Sequence, residues 1–395
     1  MQPKRFFSGL LWAGLLAMAL PALLRAAAPK PVDPGAPAAK EPAMIEDLKL
    51  VAKAISVIQD AFVNDVDRRN LVYDAVKGML AGLGDRYTEF IDPKRYELLK
   101  IQMRGEYAGI GVMLQIVKNF PMIKGVKPGS SAQKAGLKPG DLILKVNGES
   151  VENLPLPDVA PRLRGEAGTR LVLTLQRPPR GQIVEVEVVR ETIQIEAVRD
   201  VRMVGKSLGY FWLNEWEEKT MEQVDKALED LKAQGMQALI IDLRGNDGGL
   251  LPVAVALSER FLKKGDKIVS VNSKIAEQRK DYFSSGEHTR AGIELVVLVN
   301  GKSASASEIF SVAMQDHKRA AIVGEQTYGK ASVQSVVPLD DKSAMKMTTA
   351  RYRSPLGRSI DQVGLTPDFV IVNETPGQGP DPQLMKAMDL LKKYL

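Results

Sequence analysis

Leu295-Val296-Val297-Leu298-Val299-Asn300-Gly301-Lys302-Ser303-Ala304-Ser305-Ala306-Ser307-Glu308-Ile309 decides how this chain folds. Five apolar residues in a row read as a strand covered on both faces. Asn300-Gly301 breaks the run, small residues turn the chain, and a helix is predicted over 305–316. The same sign recurs in Ala238-Leu239-Ile240-Ile241-Asp242-Leu243. Helical runs at 220–234 and 252–263 flank it. Strands alternating with helices over 195–375 predict α/β architecture.

Such a turn is a place for chemistry. A serine there is presented at the C-terminal edge of the sheet, where α/β proteins put ligands. It also lies beside free helix N–H groups, which can stabilise a developing oxyanion. Serines are equally good N-caps, so three of them can be read as capping alone. A serine nucleophile needs a base. The chain has two histidines, His288 in a polar loop and His317 in a charged helix exit, and both read as solvated. Lys330 is the better candidate. It follows the apolar run 320–323 in the Gly-rich turn Gly324-Glu325-Gln326-Thr327-Tyr328-Gly329-Lys330, and a strand with apolar alternation comes next. Apolar walls disfavour an ammonium and leave a neutral amine able to take a proton. A lone lysine also reads as a solvated side chain. Gln334, four residues on, is expected on the same side as Lys330, where it could orient the amine. Asp242-Leu243-Arg244-Gly245-Asn246-Asp247-Gly248-Gly249 is a third strand end with a Gly-rich turn, suited to offering backbone N–H groups as oxyanion donors.

Residues 105–192 carry different punctuation. Gly109-Ile110-Gly111-Val112 enters a strand, a short helix ends at Gly136, and Lys138-Pro139-Gly140-Asp141 turns into another strand. Leu171, Leu173 and Leu175 alternate, as do Val184, Val186 and Val188. This is a small β-rich domain with about two helices. Before it, Ile45, Leu48, Ala52, Ile55, Ile58 and Phe62 fall at helical spacing, and a second helical run covers 70–82. Short helices do not bury such stripes alone, so they must dock on the body or on another subunit. Leu384, Met388, Leu391 and Leu395 predict a docked terminal helix.

The chain has 395 residues, 45% apolar and 26% charged, with no cysteine. That excludes disulfides, thiolate–metal sites and a cysteine nucleophile. Lys4 and Arg5 precede an apolar stretch, 6–24, and Ala26-Ala27-Ala28 offers small residues for cleavage. Residues 1–28 therefore read as a signal peptide, or as a retained single-span anchor, and the body is expected outside the cytoplasm. Residues 29–43 are a Pro/Ala-rich linker. Losing Lys4, Arg5 and Arg25 would bring the net charge from +6 to +3, too little to argue for nucleic acid.

Several of these motifs in order make the chain resemble the carboxyl-terminal processing peptidases, or tail-specific proteases, over about 44–375. The resemblance rests on 298–308, on 323–334, on Thr348-Thr349-Ala350-Arg351-Tyr352, on Gly357-Arg358-Ser359-Ile360 and on Gly364-Leu365-Thr366-Pro367-Asp368. It implies an α/β protease core (193–375) with an inserted PDZ domain (105–192), an N-terminal helical region (44–104) and a C-terminal helical segment (376–395). It implies Ser305 as nucleophile, Lys330 as general base, Gln334 orienting the lysine, and the Ala306 N–H with that of Gly248 or Gly249 as oxyanion hole. Gly109, Ile110, Gly111 and Val112 would hold a substrate's terminal carboxylate, and Arg164 could pair with the core and relay tail binding. The family often has glycine where Ala331 stands; a left-handed backbone there would strain alanine. The activity implied is a serine endopeptidase that cuts envelope proteins in the periplasm near their free C-termini, without cofactor or metal. An activating adaptor and self-association through the terminal helices are compatible with it. The rival reading is a non-enzymatic PDZ scaffold that binds tails without cutting.

Overall fold

The computed structural model describes residues 41–179, 181–290, 292–374 and 379–395. The signal peptide and most of the linker lie outside these residues. The chain divides into two units, 1–75 and 76–395. In the first, α1 (Glu41–Ala61) matches the expected helix. Ile45, Leu48, Ala52, Ile58 and Phe62 of its stripe are exposed, and Ile55 is half-buried. α2 (Arg68–Ala81) crosses the boundary between the units. Among the described residues no helix is long and apolar enough to cross a membrane.

The second unit opens with β1 (Glu89–Ile91) and α3 (Pro93–Arg104). Asp92 caps α3 by accepting from the Arg95 N–H, and Gly105 ends it at φ +73°. The chain then enters the small domain through β2 (Glu106–Gly109) and leaves through β9 (Glu191–Gln194), which pair antiparallel. Between them lie β3 (Val112–Val117), β4 (Phe120–Val126), α4 (Ser131–Lys134), β5 (Leu142–Val146), β6 (Glu149–Ser150), α5 (Leu156–Leu163), β7 (Arg170–Arg177) and β8 (Gln182–Val189). The strands form one antiparallel sheet, β3-β4-β5-β7-β8, with β6 beside β5. Leu171, Leu173 and Leu175 fill its core, as their alternation predicts.

The core domain runs β10 (Val198–Val204), β11 (Leu208–Leu213), α6 (Thr220–Ala233), β12 (Ala238–Asp242), α7 (Leu251–Glu259), β13 (Lys267–Ser273), β14 (Lys280–Phe283), β15 (Glu294–Val299), α8 (Ala306–Asp316), β16 (Ala321–Gly324), β17 (Ser332–Pro338), β18 (Ala344–Arg353), β19 (Phe369–Val370) and α9 (Pro382–Leu390). Its main sheet has the order β10-β11-β12-β15-β16-β19, parallel from β11 onward. Alternate residues of the apolar runs serve opposite faces. Leu239, Ile241, Val297 and Val299 pack with α6, α7 and α8, whereas Ile240, Val296 and Leu298 pack with α9. That two-sided burial is why the runs are continuously apolar. The predicted helix 252–263 stops at Glu259, and the next residues turn Phe261 and Leu262 into the core. A second sheet, β1-β18-β13-β14, carries β17 on β18.

β12, β15 and β16 are parallel neighbours. Their C-terminal ends therefore release three turns side by side, 243–250, 300–305 and 325–331, the three singled out in the sequence.

Candidate active site

Ser305 stands one residue before α8, with φ +54° and ψ −112°. Non-glycine residues seldom adopt this backbone, which costs on the order of 1–3 kcal/mol unless the surroundings impose it. The surroundings do. The Ser305 N–H donates to Glu308 Oε2 at 2.8 Å, and the Ser305 carbonyl lies 3.2 Å from the Tyr352 hydroxyl. The flanking serines are scaffold. Ser303 Oγ donates to the Leu243 carbonyl, and Ser307 Oγ donates to the Asn246 carbonyl and accepts from Trp216 Nε1. The N-cap position of α8 belongs to Ser305 itself, in a capping box with Glu308, while Ser303 and Ser307 stitch the chain on either side of it to the 243–250 turn.

Glu308 is the residue that sequence reasoning passed over. It is fully buried. Its carboxylate accepts from the Ser305 N–H, the Lys330 N–H at 2.9 Å, the Gly329 N–H at 2.8 Å and the Thr327 hydroxyl at 2.6 Å. One side chain thus fixes the Ser305 turn and the Lys330 turn together. Tyr352, buried beside it, adds a second tie: its hydroxyl donates to the Lys330 carbonyl at 2.7 Å and also reaches Ser305 O. Burial, then the neighbouring Glu308 charge, pushes that phenol far above its ordinary range and keeps it a donor. An acidic residue in a first helical turn is ordinary, so the only signal for Glu308 was its place three residues after Ser305.

Lys330 is half-buried, and loss of hydration lowers its pKa, as the apolar-wall argument expects. The Lys346 and Arg86 charges lower it further, against Asp247 and Glu308. Its Nζ lies 4.9 Å from the centroid of the Tyr87 ring. Ala331 is buried and has no left-handed backbone, so the strain considered for it is absent; the positive φ belongs to Gly329.

Two expectations about these turns need correction. Gln334 does not orient the lysine amine directly. Its Nε2 donates to Ser332 Oγ at 2.8 Å and Thr348 Oγ1 at 3.3 Å. β17 begins only at Ser332, so strand alternation does not extend back to Lys330. Gly248 does not offer a free donor either: its N–H donates to Asn246 Oδ1 at 2.9 Å. Gly248 still sits against Ser305, because a Cβ there would lie 2.7 Å from Ser305 Cβ and 3.0 Å from Ala306 N. Gly249 packs on Trp216, leaving no room for a side chain.

The histidines stand apart from this chemistry. His288 is exposed, and His317 is half-buried with Nε2 2.7 Å from the Lys267 carbonyl, so it is not simply solvated. Arg244, also unforeseen, is half-buried between Asp242 and Asp381, at 2.6 and 2.7 Å, and pins the start of α9 to the end of β12.

In the small domain, residues 109–112 line a groove with Tyr107, Leu114, Ala160, Leu163 and Arg164. Gly111 has φ +81°, and a Cβ there would lie 2.5 Å from Ser130 Cβ. Arg164 does not pair with the core as expected. Its guanidinium stacks 4.8 Å from the Tyr107 centroid, and its Nη1 is buried without a hydrogen-bond partner.

The description Peptidase family S41 matches residues 207–371, PDZ domain matches 122–177, and Activating protease CtpB N-terminal domain matches 25–95. A carboxy-terminal-processing protease of Bartonella bacilliformis is 34% identical over 81% of this chain and 74% of its own. A carboxyl-terminal-processing protease of Picosynechococcus is 35% identical over 82% of this chain and 80% of its own. A solved putative S41 protease of Bacteroides fragilis shares the fold at TM-score 0.51 and 17% identity, covering 86% of this chain and 97% of that one.

Proposed function

The chain belongs to the carboxyl-terminal processing proteases of peptidase family S41, serine peptidases with a PDZ domain, and within that family we propose a Ser305–Lys330 dyad as its catalytic machinery. Ser305 Oγ attacks the scissile carbonyl while the neutral Lys330 amine takes its proton. The Ala306 and Gly249 N–H groups receive the oxyanion; Gly248 joins them only where the Asn246 contact opens. The lysine returns its proton to the departing amine, and water, activated by the same amine, releases the acyl group. One observation carries this reading: Glu308 holds the backbones of Ser305 and Lys330 at once, beside a lysine whose burial favours the neutral form. The scaffold reading is not favoured, since relatives covering most of the chain are proteases.

Substrates enter by their C-termini, held by residues 109–112, with Arg164 reporting the bound tail. The apolar N-terminal stretch supports export, so the substrates are envelope proteins of the periplasm. The exposed stripe of α1 supports pairing with a second copy of this chain through the terminal helices, and an adaptor is a further partner of that surface.

The test is cleavage by purified variants. Ser305→Ala and Lys330→Ala should each abolish it with folding intact, and Lys330→Arg should fail because a guanidinium keeps its proton. The double variant His288→Ala, His317→Ala should keep its activity. A folded double variant without activity would overturn the lysine assignment. Mass spectrometry of envelope-protein C-termini, with and without Ser305→Ala, identifies the substrates.

A further inference from the structure

A lysine base must do two things. It must shed its proton, and its amine must reach the serine hydroxyl, within about 3 Å. Here no hydrogen bond joins Lys330 Nζ to Ser305 Oγ; the amine lies 4.9 Å from the Tyr87 ring centroid instead, well inside the range of a cation–π contact. Tyr87 is 243 residues away in sequence, in the short loop between α2 and β1. That loop is tied to β18: Asp85 Oδ2 accepts from Thr88 Oγ1 at 2.6 Å and Thr348 Oγ1 at 2.7 Å, and the Thr348 N–H donates to Thr88 Oγ1. Thr348 Oγ1 in turn accepts from Gln334. Gln334 thus reaches the lysine indirectly, by way of Thr348, Asp85 and the loop bearing Tyr87.

We propose that Tyr87 is a positioning residue for the base: its ring holds the Lys330 side chain while it is an ammonium and has no hold on the neutral amine. The inference rests on the Ser305–Lys330 dyad. A ring quadrupole attracts a cation and is indifferent to an amine of the same shape. Losing the proton to solvent therefore creates the base and frees it in the same event. The amine then accepts the Ser305 hydroxyl proton as the Oγ–C bond forms, and gives it to the leaving amine as the C–N bond breaks. The ring acts among neighbouring charges of both signs. Lys346 and Arg86 disfavour the ammonium, Asp247 and Glu308 favour it, and the buried Tyr352 hydroxyl stays protonated. Arg86 also lies over the Tyr87 ring, at 4.7 Å, and shares its negative face.

Ring electronics can be changed without changing shape. Tyr87→Phe, then phenylalanines at 87 with increasing ring fluorination, weaken the quadrupole stepwise. Each fluorine should favour the neutral amine and move the acid limb of kcat/KM to lower pH, with Tyr87→Phe near wild type. The whole series should span about half to one and a half pH units. The second readout needs no turnover: reductive methylation of Lys330 in the Ser305→Ala background, followed by mass spectrometry across pH, should shift in parallel. A flat series in either readout overturns the inference. Lys330→Ala separates it from the dyad: cleavage surviving that change defeats the dyad itself, whereas an inactive Lys330→Ala with a flat series defeats only the role of Tyr87.

Discussion

The Ser305 and Lys330 turns of the core and the groove of the small domain are both built from glycine-rich loops, yet they are held in opposite ways. At the core site a buried carboxylate gathers four donors, and a buried phenol spans the Ser305 and Lys330 carbonyls. Each partner is backbone or a short hydroxyl, so the positions of the two turns are over-determined. Beside the groove the buried Arg190 instead donates to carbonyls, those of Arg162 and Leu163 among them, and one donor of the groove is left over. Arg164 is held by the face of Tyr107 and keeps a buried N–H unpaired. A donor left without an acceptor inside a protein costs about 1–3 kcal/mol, so the groove is incomplete in a way that a bound acceptor would repair. The backbones of the core turns are fixed in advance, whereas the groove keeps a donor that a bound acceptor would satisfy.

The contrast breaks most sharply at Glu308. Glu308→Ala strands three backbone donors and a hydroxyl, each costing about 1–3 kcal/mol, and removes what holds Ser305 at positive φ. We expect kcat/KM to fall by at least about 1,000-fold, with a lower melting temperature. Glu308→Gln keeps one acceptor oxygen but turns an NH₂ toward N–H groups. It should remain folded and lose roughly 100-fold or more. Steady-state kinetics and thermal melts decide it. Near-wild-type activity in folded Glu308→Gln would mean that the turns hold themselves.

Little of this clamp could be read in the sequence, although the turns it joins could. Strand ends announce themselves locally, through an apolar run that stops at Asn300-Gly301 or at Asp242. Which turns become neighbours depends on β12, β15 and β16 lying side by side, and the apolar runs mark the strands without giving their order. Glu308 looked like any first-turn acid because its partners Thr327, Gly329 and Lys330 come from another strand end. Tyr87 and Tyr352 were invisible for the same reason. The Gln334 error has a local cause: alternation was extended through a turn, where it does not hold. At Arg164 the sequence shows a basic residue after a helix, but not the tyrosine four residues before Gly111 on which it stacks.

The joint between the two regions makes the second prediction. Glu217 is 2% exposed, neither carboxyl oxygen has a hydrogen-bond partner, and a Cβ on Gly105 would meet one of them at 2.3 Å. Burial, then the Glu215 charge, raises its pKa to about 7. The unfolded value is near 4.3, so folding favours the protonated form. Its contribution to stability is complete below the unfolded value and is lost as pH rises through about 7. Glu217→Gln should therefore match wild type near pH 4 and exceed it at pH 8 by about 3–4 kcal/mol. Denaturant unfolding at the two pH values tests this. An equal offset at both would show that the carboxyl is ionised throughout.

A smaller effect is expected where the groove meets its ligand. Amidating a substrate's C-terminus removes the carboxylate charge, and a charge-assisted hydrogen bond is worth about 1.5–3 kcal/mol. Cleavage should slow by roughly ten-fold or more. Gly111→Trp should make the free acid behave like the amide, since φ +81° and the contact with Ser130 leave no space for a side chain. Short peptides that do not use the tail site should be cut as before. Equal rates for acid and amide on the wild type would remove residues 109–112 from substrate choice.

The smallest effect separates two roles for Arg164. If it only completes the groove, its contribution is a stacking contact at a half-exposed side chain plus one hydrogen bond to the tail. Arg164→Lys keeps the charge but loses the planar stack on Tyr107 and the directed Nη1 donor. A loss of about 0.5–1 kcal/mol corresponds to two- to five-fold, and it should fall on KM for tailed substrates alone. If the arginine also reports the bound tail to the core, the same change should lower kcat, because fewer bound complexes would have the catalytic turns engaged. Arg164→Leu sharpens the choice, since it keeps bulk against Tyr107 and removes both charge and donor. A pure KM effect in both variants leaves the core finished without help from the groove. A kcat effect would mean that the Glu308 clamp fixes the two turns and that tail binding still governs the last movement of Lys330 toward Ser305.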